Sequence, residues 1–273
     1  MSIQLDGPLL LAGAGNMGFA LLSGWLDRGL SPASVIVQDP SPPPRIKQTL
    51  DTHGIQVHAE VRALPKPPAV ILVAVKPQVM AEVFPPLAKL AGRNTVVLSV
   101  AAGRPIKGFE ASLSPGIAVV RAMPNTPASV GRGITVAVGN AHVTPQQRET
   151  CDQLLRAVGE VAWVDDEGLM DAVTAVSGSG PAYVFHLAEC MAKAGVDAGL
   201  PPALAQQLAC WTVAGAGELL HRSDLDPAVL RQNVTSPNGT TYAALQVLMA
   251  EEGLAPLMRK TVAAAARRSR ELA

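Results

Sequence analysis

Apolar residues fall along the first part of the chain in short unbroken runs separated by glycine, proline and charged positions. Runs at 9–12, 35–39, 55–57, 70–75, 95–99, 117–121, 134–138 and 161–164 each read as a strand. The run at 70–75 is apolar without alternation, as expected of a parallel strand covered on both faces. Between these runs, helical stretches are predicted at 17–28, after Pro42-Pro43-Pro44, and at 145–158. Strands alternating with helices predict a parallel, doubly wound sheet. After about Val164 the texture changes: strand signals fade and Ala, Leu, Glu and Gln dominate. Helices are predicted at 168–198, 201–221, 227–233, 241–251 and 255–272, with glycine or proline at each junction. Two domains follow, an α/β domain over residues 1–165 and an all-α domain over 166–273.

Composition sharpens this picture. Of 273 residues, 48% are hydrophobic but only 3% aromatic, so the core is aliphatic and alanine-rich. Charged residues reach 16%, against roughly 25% in ordinary globular domains, which suggests surface hidden in an oligomer. Lys+Arg and Asp+Glu both number 22, so nothing draws the chain to nucleic acid or an anionic membrane. Cys151, Cys190 and Cys210 have no CxxC spacing and suit reduced thiols in the cytoplasm. The apolar stretch from Pro8 to Ala12 lacks the flanks of a signal peptide. No run approaches the roughly 18 apolar residues of a membrane span.

The candidate chemistry begins at Gly13-Ala14-Gly15-Asn16-Met17-Gly18, a G-x-G-x-x-G between a strand and a helix. The first glycine allows a tight turn, the second admits a pyrophosphate against the backbone, and the third lets helix and strand pack closely. The helix N-terminus, at Asn16 and Met17, offers free N–H groups and a positive dipole end to phosphates. This is the signature of a Rossmann-type domain binding NADPH or NADH. An acidic residue ending the second strand would hold the ribose hydroxyl of NAD, and Asp39 is so placed. Asp39 before Pro40 also suits a simple turn, and Ser41 or Arg45 could instead accept the extra phosphate of NADP. The strand ending Val75-Lys76-Pro77 places Lys76 beyond a carboxyl end, where ligands of such sheets bind.

Three further segments stand out: Arg121-Ala122-Met123-Pro124-Asn125-Thr126-Pro127, Val176-Ser177-Gly178-Ser179-Gly180-Pro181-Ala182-Tyr183, and Asn233-Val234-Thr235-Ser236-Pro237-Asn238-Gly239-Thr240-Thr241. With the glycine loop and the Val73-Ala74-Val75-Lys76-Pro77 strand end, they resemble the pyrroline-5-carboxylate reductase family over nearly the whole chain. One departure is Asn238, where the family usually carries glycine; Asn tolerates a left-handed backbone better than most residues.

The resemblance implies an NADPH- or NADH-dependent oxidoreductase that reduces the C=N bond of 1-pyrroline-5-carboxylate to L-proline, the last step of proline biosynthesis. It implies a helical C-terminal domain that builds a homodimer, dimers that assemble into a larger ring, and a substrate held near the dimer interface. Met123, Pro124 and Asn125 then border the nicotinamide, with Val75, Lys76 and Pro77 also at the cofactor. Ser177 and Gly178 contact the substrate; Ser236, Asn238, Gly239 and Thr240 hold its carboxylate. Thr241 is the catalytic candidate, its hydroxyl aimed at the ring nitrogen.

Plainer roles stay open beside these. Thr caps helices routinely, Asn125 and Thr126 form turns, and Gly178-Ser179-Gly180-Pro181 suits close helix packing. That last segment sets two glycines, at roughly 1 kcal/mol each, and a proline, at about 3, against a helical stretch. A β-hydroxyacid dehydrogenase shares the two-domain plan, but its catalytic lysine would fall on Val184, which cannot move a proton. A sensor that binds the nucleotide without catalysis is the other alternative. His53 and His58 have no third ligand at metal spacing, so no metal is expected.

Overall fold

A computed structural model describes residues 3–61 and 63–272. Four-residue runs that are buried throughout, and apolar but for Ser99, form its centre: β1 (Leu9–Ala12), β4 (Val70–Val73) and β5 (Val96–Ser99). β2 (Val35–Gln38), β3 (Gln56–His58), β6 (Ala118–Met123), β7 (Gly133–Gly139) and β8 (Gly159–Trp163) complete one sheet, in the order β3-β2-β1-β4-β5-β6-β7-β8. Alternate residues of β1 point to opposite faces. Leu9 and Leu11 join a core with Trp25 and Leu154, whereas Leu10 and Ala12 join one with Phe84 and Phe109. Both faces are therefore covered, which explains strands that are apolar without alternation.

The helices of this first unit are α1 (Asn16–Asp27), α2 (Pro44–Thr52), α3 (Met80–Ala88), α4 (Ile106–Glu110), α5 (Pro145–Leu155) and the one-turn α6 (Met170–Val173). α1 seats Trp25 fully in the core, its indole N–H donating to the Leu154 carbonyl at 2.8 Å. α5 opens with a capping box between Thr144 and Gln147. α3 contains Pro85 and Pro86 yet stays helical. Its buried Met80, Phe84 and Leu87 hold it to the sheet, and Phe84 meets Phe109 edge-on with ring centroids 5.0 Å apart.

The sheet is parallel except between β6 and β7, which run antiparallel in the register Val120↔Gly139 to Met123↔Val136. This departs from the all-parallel expectation for a physical reason. The link between Met123 and Gly133 is shorter than the dozen or so residues a parallel crossover requires. A single 3-10 turn, Thr126–Val130, closed by Gly131 at φ 68°, reverses the chain instead.

The chain forms two compact units: residues up to Gly178 together with those from Ala266 onward, and Ser179–Ala265. The division falls later than the change of texture near residue 165. Residues 167–178 remain with the sheet because Glu167 pairs with Arg121, Met170 is buried in the core, and Asp171 accepts a 2.6 Å hydrogen bond from Ser269. The second unit holds α7 (Gly180–Asp197), α8 (Pro202–Arg222), α9 (Pro227–Asn233), α10 (Thr240–Leu248) and most of α11 (Leu254–Leu272). Small residues let α7 and α8 close together: a Cβ on Gly195 would stand 3.2 Å from that of Ala205. Among the described residues, no helix is long and apolar enough to cross a membrane.

Candidate active site

The strand order reverses direction at β1. The chain steps from β1 to β2 and β3 on one side, then to β4, β5 and β6 on the other. Ligands of open α/β sheets bind at such a switch point, beyond the carboxyl ends of the strands. The glycine loop lies there. Gly13 has φ 92°, and a Cβ on it would meet the Ala74 carbonyl oxygen at 2.8 Å. A Cβ on Gly18 would collide with the Gly13 carbonyl oxygen. These two glycines are needed for internal packing. At Gly15, by contrast, a Cβ would meet open space. Gly15 is also the N-cap of α1 and supplies no side chain to its first turn, which begins with the exposed Asn16 and the half-buried Met17. An open surface beside uncapped N–H groups fits the pyrophosphate of a dinucleotide.

Asp39 lies just past β2. One carboxylate oxygen accepts the Ala14 N–H at 2.8 Å, and the other accepts the Ser41 N–H at 2.9 Å. The turn reading is thus realised, and the same side chain also bonds the glycine loop. Ser41 and Arg45 are exposed beyond it. On the other side of β1, Val75 packs its side chain within 3.1 Å of where a Gly13 Cβ would sit. Lys76 is exposed and leads into the 3-10 turn Pro77–Val79.

Met123 ends β6, Pro124 is buried, and Asn125 accepts the Ile134 N–H at 3.0 Å, tying the reversal to β7. The structure brings this loop to the Ser177-Gly178 segment. A Cβ on Gly178 would lie 2.6 Å from the Met123 methyl carbon, so the missing side chain makes room for the thioether. Ser177 and Gly178 lie on a π-helical turn, Thr174–Gly178, in which the Ser177 hydroxyl donates to the Val173 carbonyl at 3.2 Å. Such wide turns recur at functional sites.

In the second unit, the Gly239 N–H donates to the Ser236 carbonyl at 3.1 Å, closing a tight turn. Asn238 has φ 58° and is the only non-glycine with positive φ among the described residues. A Cβ on Gly239 would strike the Ser236 hydroxyl. The N-cap of α10 is Gly239, with no side-chain cap, so neither Thr240, which is exposed, nor Thr241, which is half-buried, is spent as a cap. The first turn of α10 therefore opens on backbone N–H groups that no side chain caps, with Thr240 and Thr241 as its first two residues.

Sequence reasoning assigned no role to Arg121, although a cation within an apolar strand was a signal. It is buried, and its guanidinium meets Glu167 at 2.9 Å. The same carboxylate oxygen accepts the Ile106 N–H at 2.9 Å. This joins β6, α4 and the segment leading to the π-turn. Burial pushes the Cys151 thiol well above its ordinary range, which makes it inert. No group of three His, Cys, Asp or Glu side chains could hold a metal among the described residues.

A glycine loop at the switch point of a doubly wound sheet, followed by a helical unit, defines a two-domain dinucleotide-dependent oxidoreductase. Residues 9–103 match the family model "NADP oxidoreductase coenzyme F420-dependent", and residues 167–272 match "Pyrroline-5-carboxylate reductase dimerisation". A pyrroline-5-carboxylate reductase of Pseudomonas aeruginosa is 41% identical, over 96% of this chain and 95% of its own. The solved pyrroline-5-carboxylate reductase of Coxiella burnetii superposes with a TM-score of 0.90 at 32% identity, covering 98% of both chains. That of Plasmodium falciparum, solved with NADP bound, gives 0.81 at 26% identity, covering 98% of this chain and 99% of its own. The chain belongs to the pyrroline-5-carboxylate reductase family.

Proposed function

We propose that this chain reduces 1-pyrroline-5-carboxylate to L-proline, using NADPH or NADH. The observation that carries this reading is relatedness to pyrroline-5-carboxylate reductases that spans both units of the chain. The substrate is a five-membered cyclic imine bearing a carboxylate. As an iminium it is already electrophilic, so the protein has only to position two rings, anchor an anion and manage one proton. When bound, the dinucleotide supplies the hydride.

Gly15, Asn16 and Met17 cradle the pyrophosphate on a loop that Gly13 and Gly18 allow to close, with Asp39 and Ser41 at the adenosine side. Val75, Lys76, Pro77, Met123, Pro124 and Asn125 line the nicotinamide side. Ser236, Asn238, Gly239 and Thr240 receive the substrate carboxylate, because a tight turn running into an uncapped helix converges its N–H groups on an anion. Thr241 gives its hydroxyl to the ring nitrogen and relays the proton that ends on the amine. Ser177 and Gly178 bound the substrate through the π-turn. The helical unit pairs two chains into a homodimer, dimers assemble further into a ring, and the protein works in the cytosol, where its three unpaired cysteines stay reduced.

The test supplies pyrroline-5-carboxylate with NADPH or NADH and follows cofactor oxidation and proline together. Matched loss and gain are expected. Thr241→Val should bind cofactor as tightly as the parent while turnover falls about a hundredfold, within the range for a lost proton-transfer group. Cofactor binding without proline formation would leave a nucleotide sensor. Unchanged turnover in Thr241→Val would remove that hydroxyl from the chemistry.

A further inference from the structure

We propose that Asp39 is a positioning residue that braces the glycine loop, and that it does not select NADH by reading the ribose hydroxyl. The inference rests on the proposed cofactor site and concerns how that site is held in shape. An acidic residue ending the second strand favours NAD when its carboxylate is aimed at the ribose. Here both carboxylate oxygens are turned to backbone. Oδ2 accepts the Ala14 N–H at 2.8 Å, and Oδ1 accepts the Ser41 N–H at 2.9 Å. Ala14 is wholly buried between Gly13 and Gly15.

Around it the chain leaves the regular ladder. The Gly13 N–H donates to the Gln38 carbonyl at 2.8 Å, and the Asp39 N–H donates to the His58 carbonyl at 2.9 Å. The next amide, Ala14, points to no strand; the Asp39 carboxylate is its acceptor. A carboxylate makes short, strong bonds to backbone N–H groups, so one side chain clamps the β1–α1 loop to the β2–α2 turn. The side chain thus fixes the loop from which Gly15 opens to the ligand. Choice between the two dinucleotides then passes to the exposed residues that follow, Ser41 and Arg45.

The two roles differ in what removal of the carboxylate does. A ribose reader lost from the site weakens NADH selectively and relieves repulsion of the NADP phosphate. A brace lost from the loop lowers the fraction of protein with a competent loop, which weakens both cofactors by the same factor. The experiment titrates NADPH and NADH by fluorescence into the full-length protein and its Asp39→Ala and Asp39→Asn variants. Hydrogen exchange is followed in parallel on the peptide containing Ala14.

In Asp39→Ala both Kd values should rise by about tenfold, with their ratio held within about twofold, and the Ala14 peptide should exchange faster. Asp39→Asn keeps one carbonyl acceptor and should fall between the two; it carries the same comparison if the alanine variant does not fold. A rise confined to NADH, tighter NADPH binding, or no change in either Kd would overturn the proposal. Neither readout needs imine turnover. A protein that binds both dinucleotides but makes no proline would sink the proposed reaction and leave the role of Asp39 standing.

Discussion

Asn238 shows how a single departure from a family pattern can be neutral in shape. Where the family resemblance implies glycine, this chain has asparagine at φ 58°, a conformation that costs most L-residues about 1–2 kcal/mol and asparagine less. The loop therefore already has the backbone that glycine would give. Asn238→Gly is expected to change the KM for the imine by less than about threefold, since the backbone region is shared. Asn238→Ala should raise it by about tenfold, because alanine resists that region by roughly the energy of one decade. Initial-rate kinetics at saturating cofactor check both. Equal KM values in the alanine variant and the parent would show that the left-handed turn is not needed for substrate binding.

Elements were legible in the sequence where one segment carries its own signal. β1 and the helix from Pro227 begin where the pattern puts them, and α8 begins one residue after the expected Pro201, because unbroken apolar runs and proline starts are local properties. α3 was hidden by Pro85-Pro86, which oppose a helix locally and are outweighed by the burial of Phe84 and Leu87. The direction of β7 was legible in principle from its short link to β6, but not from its composition. At the site, the glycine loop and the Ser236–Thr241 turn were readable as motifs. The partners of Asp39 and Arg121 were not, since Ala14 and Glu167 lie far off in sequence. Arg121 makes a prediction at this scale. Arg121→Met removes the partner of Glu167 and should lower unfolding free energy by about 1–3 kcal/mol. Adding Glu167→Gln should cost less than the sum of the single changes, as expected for residues in direct contact. Urea unfolding of the four proteins reads this, and strict additivity would mean the pair is not coupled.

At the scale of the whole molecule, the two units are built on different principles. The first buries its large apolar side chains on both faces of the sheet. The second buries only Ala205 and Ala209 among its apolar residues, while Phe185 is 69% exposed, Trp211 73% and Val247 72%. A chain with 16% charged residues has little polar surface to offset this, and folded monomers rarely leave extended apolar patches in water. Residues 167–272 match a dimerisation model, so a second copy is the expected cover for these side chains. Trp211→Glu tests this. A glutamate placed in an apolar contact must be desolvated without a partner, and a two-fold interface repeats the defect. The dimer dissociation constant should then rise by at least about a hundredfold, the equivalent of roughly 3 kcal/mol. Sedimentation across a dilution series measures it. Because the glycine loop belongs to the first unit, the dissociated chain should still bind NADPH. A Trp211→Glu protein that sediments as the parent does would place this tryptophan outside the interface and move the search to Phe185 and Val247.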